Sequence, residues 1–126
     1  MTDQNPKFSV SVDEARRELH FTASGVFDAQ SMAALNIEIA KGVNPILAQQ
    51  RTLRALGDLS DYRIQSREIS AKMAETLAAA EAVGIERVAI IMTCANLRDT
   101  YRGVTESETV KIFDNRDDAL GWLRSN

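Results

Sequence analysis

The chain has 126 residues, and its 15 Lys and Arg against 18 Asp and Glu leave a formal charge of −3. With 44% hydrophobic and 26% charged residues, six glycines and two prolines, residues 1–126 read as a single domain with a real core, and disorder, collagen-like repeats and low complexity are excluded. The slight acidity argues against nucleic acid as a partner, because neutralising phosphates needs a basic face.

Residues 7–11 (Lys-Phe-Ser-Val-Ser) alternate apolar and polar side chains, the period of a half-buried strand. Residues 17–23 alternate again, with Leu19, Phe21 and Ala23 on one face and Glu18, His20 and Thr22 on the other. The short polar connection at Asp13-Glu14 predicts an antiparallel hairpin, and Gly25 ends it. The period then becomes helical. Asp28 is placed to cap a helix carrying Met32, Leu35 and Ile39 on one face, and Gly42 is expected to stop it. Asn44-Pro45 opens a further turn, since proline at the first helical position loses no needed hydrogen bond. Residues 52–57 read as a third strand running into Asp58-Leu59-Ser60-Asp61.

Ser66 is the cap of the clearest helix, where Ile69, Met73 and Leu77 recur at steps of four, followed by Ala80 and Val83. Gly84 is placed to end it in the left-handed conformation. Residues 87–92 are apolar on both alternating sets, which predicts a strand covered on both faces. A shorter helix over 96–104 puts Leu97, Tyr101 and Val104 on one face. Residues 110–113 form the last strand. Asn115, with Asp118 three residues on, then opens a final helix that buries Ala119, Leu120, Trp122 and Leu123. The order β-β-α-β-α-β-α-β-α demands crossovers between parallel strands. It predicts an α/β sandwich with a mostly parallel sheet of four or five strands and an antiparallel edge strand.

Several chemistries lack their residues. The longest apolar run, around Val88 to Met92, is far short of the roughly 20 residues of a membrane span. The segment from Met1 to Lys7 has neither a basic nor an apolar signal region. With Cys94 the single cysteine, the chain reads as a cytoplasmic protein without a disulfide. One Cys and one His fall short of a zinc site, no phosphate-cradling glycine motif occurs, and no cofactor or catalytic residue is expected. His20 reads as a surface or edge-strand residue, and Gly25 and Gly57 as turn residues.

Two local patterns add to the element order. Leu56-Gly57-Asp58-Leu59-Ser60 runs an apolar strand into an Asp-Leu-Ser turn. Val110-Lys111-Ile112-Phe113-Asp114, followed by Asp117-Asp118-Ala119-Leu120-Gly121-Trp122-Leu123, joins an aromatic strand end to an acidic pair and an Ala-Leu-x-Trp-Leu helix. Over residues 7–124 the chain resembles the SpoIIAA-like or STAS superfamily of small bacterial regulatory domains. The resemblance implies a superhelix of βα turns with strands in mostly sequential order. It also implies a non-enzymatic regulatory or protein-interaction role with an unidentified protein partner. The superfamily's similarity to CRAL-TRIO domains implies an alternative, a small amphipathic or lipid-like anionic ligand in a crevice between sheet and helices. In the anti-sigma-factor antagonists of this superfamily, a phosphorylatable serine lies in an Asp-Ser-Ser-Gly stretch after the third strand. Ile64-Gln65-Ser66-Arg67 keeps one serine and departs from the rest. Ser66 therefore has two readings, a helix cap or a phosphate acceptor whose charge the helix N-terminus and Arg63 or Arg67 would receive.

Other candidate binding residues lie downstream. Cys94 follows the most buried strand and precedes a helix, where open α/β sheets place crevices and where a thiol is activated. Its other reading is a small buried hydrophobe. Arg98 and Arg102 share a helix face with Tyr101 beside them. The same crevice edge is expected to receive Arg63 or Arg67 from the preceding loop, giving a cluster able to hold an anionic headgroup or an acidic partner. The other reading of that face is a solvated surface balanced by Asp99, Glu106 and Glu108. If the helices gather on one side of the sheet, the uncovered side calls for a homodimer.

Overall fold

The computed structural model describes residues 5–105 and 107–125, with the side chains of Val104 and Thr105 left aside. The face assigned to Val104, the charge of Glu106 and the segment Met1–Gln4 thus lie outside the described residues. Strands β1 (Lys7–Asp13) and β2 (Glu18–Ser24) form the expected hairpin, in unbroken register from Lys7↔Ser24 to Asp13↔Glu18. The Asp13 carboxylate accepts from the Arg16 amide at 3.1 Å, and Arg17 closes the turn at φ 53°. Strands β3 (Arg54–Asp58), β4 (Arg87–Ile91) and β5 (Val110–Phe113) follow in parallel, so the sheet runs β1-β2-β3-β4-β5. The antiparallel edge strand is β1. His20 therefore sits on an inner strand, not at an edge.

Helix α1 (Ala29–Ala48) starts at a complete capping box, in which Asp28 accepts from the Ser31 amide at 2.8 Å and Ser31 Oγ accepts from the Asp28 amide at 2.9 Å. It does not stop at Gly42, and Pro45 lies inside it. Packing explains the glycine: a Cβ there would stand 2.8 Å from Leu19 Cδ1 and 3.0 Å from Val12 Cγ2. Its absence lets α1 lie directly on the hairpin. Gly57 is likewise no turn residue. It is buried in β3, where a Cβ would run into the Phe21 ring and stand 2.9 Å from Ile90 Cδ1.

Helix α2 (Arg67–Ala82) buries Ile69, Met73, Leu77 and Ala80, and Gly84 ends it at φ 93°. Val83 falls past the last turn and is exposed, contrary to its place in the sequence pattern. The single helix expected over 96–104 is two short pieces, α3 (Ala95–Thr100) and α4 (Arg102–Thr105), broken where Tyr101 turns into the core. Helix α5 (Arg116–Leu123) is capped by Asn115, which accepts from the Asp118 amide at 2.8 Å.

The core has two layers. Leu19, Phe21, Met32, Leu35, Met73 and Leu77 belong to the larger one, between the sheet and α1 and α2. Leu56, Ala89 and Ile91 project to the other side and are covered by Ala119 and Leu123 of α5, with Phe113, Leu120 and Trp122 at the rim. Helices thus flank both faces, and β4 is enclosed as its sequence requires. On the part of the α5 side belonging to the hairpin, Ser9 and Thr22 share a 2.7 Å hydrogen bond, and Ser11 and His20 continue the polar surface. The uncovered apolar sheet face from which a dimer was expected is therefore missing.

Candidate functional site

Ser66, Cys94 and Arg98 all follow the carboxyl ends of parallel strands. Ser66 Oγ accepts from the Ile69 amide at 3.2 Å, so the cap reading is realised, while the residue itself stays exposed. Its position is set by Gln65, a buried polar side chain whose sequence context gives no sign of its role. Gln65 Oε1 accepts from the Phe27 amide at 2.7 Å, and Nε2 donates to the carbonyls of Gly25 at 2.9 Å and Arg63 at 2.6 Å. This clamp ties the turn before α2 to the one before α1. An isolated glutamine in a loop carries no periodicity that could have revealed it.

Cys94 is the N-cap of α3, exposed and without a side-chain capping bond, so the buried-hydrophobe reading does not hold. Arg98 pairs with Asp114 and Arg102 with Asp99 at 2.6 Å. The two arginines line a shallow depression of about 650 Å³ with Ala95, Asp99, Ser107, Lys111 and Ile112. Ser66, Arg67, Cys94 and Tyr101 are not among its lining residues. Tyr101 is only 1% exposed and lies inside the domain rather than beside the arginines. Its phenol acts on that of Tyr62, and burial pushes both hydroxyls above their ordinary pKa. A buried pair of neutral phenols is a packing feature. The surface cluster therefore comes down to Arg98 and Arg102, each with an acid beside it.

A second, mainly apolar concavity lies elsewhere. Helices α1 and α2 diverge over β2, β3 and β4 and leave a cleft of about 450 Å³. Its apolar walls include Phe21, Met32, Ile39, Val43, Leu77 and Val88, and Asn36, Lys72, Glu75 and Thr76 supply its polar groups. Thr76 Oγ1 donates to Asn36 Oδ1 at 2.9 Å and joins the two helices. That size and mixture are those of a small-molecule pocket. The crevice between sheet and helices thus exists, but Lys72 supplies its cation, not the arginines after β4.

The opposite end of the sheet holds a polar cluster that sequence reasoning passed over. Glu18 is only 3% exposed and is held by Arg124 through Nε to Oε2 at 2.9 Å and Nη2 to Oε1 at 3.0 Å, with His20 Nε2 also 3.0 Å from Oε1. Arg54 bonds Glu86 at 2.9 Å and the carbonyl of Leu123 at 2.5 Å. Arg87 donates to the carbonyl of Trp122 at 2.6 Å. These arginines satisfy carbonyls at the end of α5, which is a structural task. Among the described residues, no group of three or more His, Cys, Asp or Glu could hold a metal ion, and no helix is long and apolar enough to cross a membrane.

No family model and no curated protein matches the chain. Among solved structures, an uncharacterized DUF3478-family protein with a SpoIIAA-like fold from Shewanella loihica PV-4 superposes with a TM-score of 0.70 at 19% identity, covering 98% of each chain. An anti-sigma factor antagonist from Mycobacterium paratuberculosis superposes at 0.65 with 18% identity, covering 94% of this chain and 96% of that one. Likeness at this identity concerns architecture, and over nearly the whole length the architecture is the same: the chain has the SpoIIAA-like fold.

Proposed function

We propose that the chain is a non-enzymatic, cytoplasmic regulatory domain that acts through contact with a protein partner at the carboxyl end of its sheet. The observation that carries this reading is Ser66, exposed at the start of α2 directly after the Gln65 clamp, in a fold shared with an anti-sigma factor antagonist. A phosphate on Ser66 Oγ would meet the amides of the first turn, with Arg67 adjacent, so the added charge is tolerated by the helix. Arg98, Arg102 and exposed Cys94 extend the contact surface after β4. The test is affinity capture from lysate with the wild-type chain and Ser66→Asp as baits, each partner then being checked with purified components. A directly binding protein that distinguishes the two baits is the expected outcome. Capture of no direct binder, together with turnover of a small substrate by the pure chain, overturns the reading.

The α1–α2 cleft supports a second reading, a small amphipathic ligand whose tail lies on the apolar walls and whose anionic head meets Lys72. Native mass spectrometry of freshly purified protein is expected to show a bound mass that Lys72→Glu reduces. A wild-type spectrum with only the bare chain counts against it.

A further inference from the structure

The hairpin leaves one strand edge open. β1 bonds to β2, and among the described residues no strand pairs with its other side. Proteins usually blunt such an edge with a bulge, a proline or an inward-pointing charge. Over its seven residues β1 has no bulge, proline or inward-pointing charge, its two charges, Lys7 and Asp13, stand only at its ends, and its pairing with β2 is continuous. Its apolar side chains Phe8, Val10 and Val12 are only partly covered where they meet the core.

The strand is also self-complementary about its centre: Lys, apolar, Ser, Val, Ser, apolar, Asp. We propose that β1 is a self-association edge, to which a second copy of this chain adds its own β1 antiparallel about a two-fold axis at Val10. Lys7 then stands opposite the partner's Asp13, Phe8 opposite the partner's Val12, Ser9 opposite the partner's Ser11, and Val10 opposite the partner's Val10. Facing positions are an even number of residues apart in the strand. Outward amides and carbonyls therefore meet their counterparts, and facing side chains share a sheet face. A one-residue slip sets apolar against polar side chains, and a two-residue slip loses both ion pairs. The register is thus fixed by charge and pattern together. Because the strand mirrors its own charges, its best complement is itself, and the contact is isologous and closed. Two five-stranded sheets become one continuous sheet, and both rows of partly covered apolar residues are extended across the dyad.

The test is sedimentation equilibrium of the full chain from low to high micromolar concentration, with circular dichroism confirming that each variant is folded. The wild type is expected to dimerise, and Lys7→Asp to weaken the dimer roughly tenfold, because the dyad counts each substitution twice. Asp13→Asn keeps an oxygen for the Arg16 amide and is expected to weaken it less, while Lys7→Asp with Asp13→Lys restores it. Hydrogen exchange gives a measure independent of mutation, since protection of the outward β1 amides should rise with protein concentration. A wild type that stays monomeric, a dimer indifferent to Lys7→Asp, a folded double variant that remains dissociated, or β1 protection independent of concentration each overturns the proposal.

Discussion

Glu18 shows how one charge in the wrong part of a pattern is accommodated. Alternation puts it on the polar face of β2, yet it is buried, because Arg124 returns over it from the far end of the chain. Burial by itself raises its pKa, but hydrogen bonds from Arg124 and His20 outweigh that and hold the carboxyl below its ordinary 4.5. A depressed folded pKa gives stability that is present above the unfolded carboxylate range and lost as pH falls through the folded value. Glu18→Gln is expected to cost about 2 kcal/mol near neutrality, a figure kept modest because Arg124 is partly exposed and screened. The deficit relative to wild type should be smaller at an acidic pH well below the ordinary carboxylate range, as the wild-type carboxylate itself takes up a proton. Urea titrations at the two pH values check this, and an equal deficit at both would contradict the ion-pair account.

Helix caps were the most legible elements, because a cap is a local bargain between one side chain and the amides two or three residues on. Asp28, Ser66 and Asn115 all cap where the sequence places them. Ser66→Ala is expected to lower stability by about 1 kcal/mol, whereas Ser66→Asp should stay within a few tenths of wild type because aspartate caps as well. Thermal denaturation of the two variants separates the cap from any regulatory role of the hydroxyl; equal losses would show that capping is not what Ser66 contributes. Helix ends governed by packing were less legible. Gly42 has the residue type of a stop signal but serves as a contact between α1 and the hairpin, and Tyr101 breaks a helix by turning into the core.

At the scale of the molecule, α5 is the covering element of the second layer. It shields Leu56, Ala89 and Ile91, and Arg54 and Arg87 hold its last carbonyls from the sheet below. Leu123→Ala is therefore expected to destabilise by about 2–5 kcal/mol, the range for truncating a buried leucine. Urea unfolding measures the loss, and a cost below about 1 kcal/mol would mean that the second layer is not a packed core.

The amino-acid sequence by itself determined the element types, their order, the antiparallel edge strand and the enclosed β4, since all of these rest on short-range periodicity and on capping chemistry within a few residues. The SpoIIAA-like fold that the resemblance implied is the one observed, for the same reason: an order of elements with right-handed crossovers admits few architectures. Only the tertiary structure decided that α5 takes the opposite face, that Glu18 is sealed by Arg124, that Gln65 positions Ser66, and that the cleft lies between α1 and α2 rather than beside Arg98. Those outcomes depend on residues brought together from distant parts of the chain, which no local period encodes. The mild negative charge and ordinary composition conceal an uneven surface, in which Arg54, Arg87 and Arg124 gather at one end of the sheet and tie it to α5 and the residues after it.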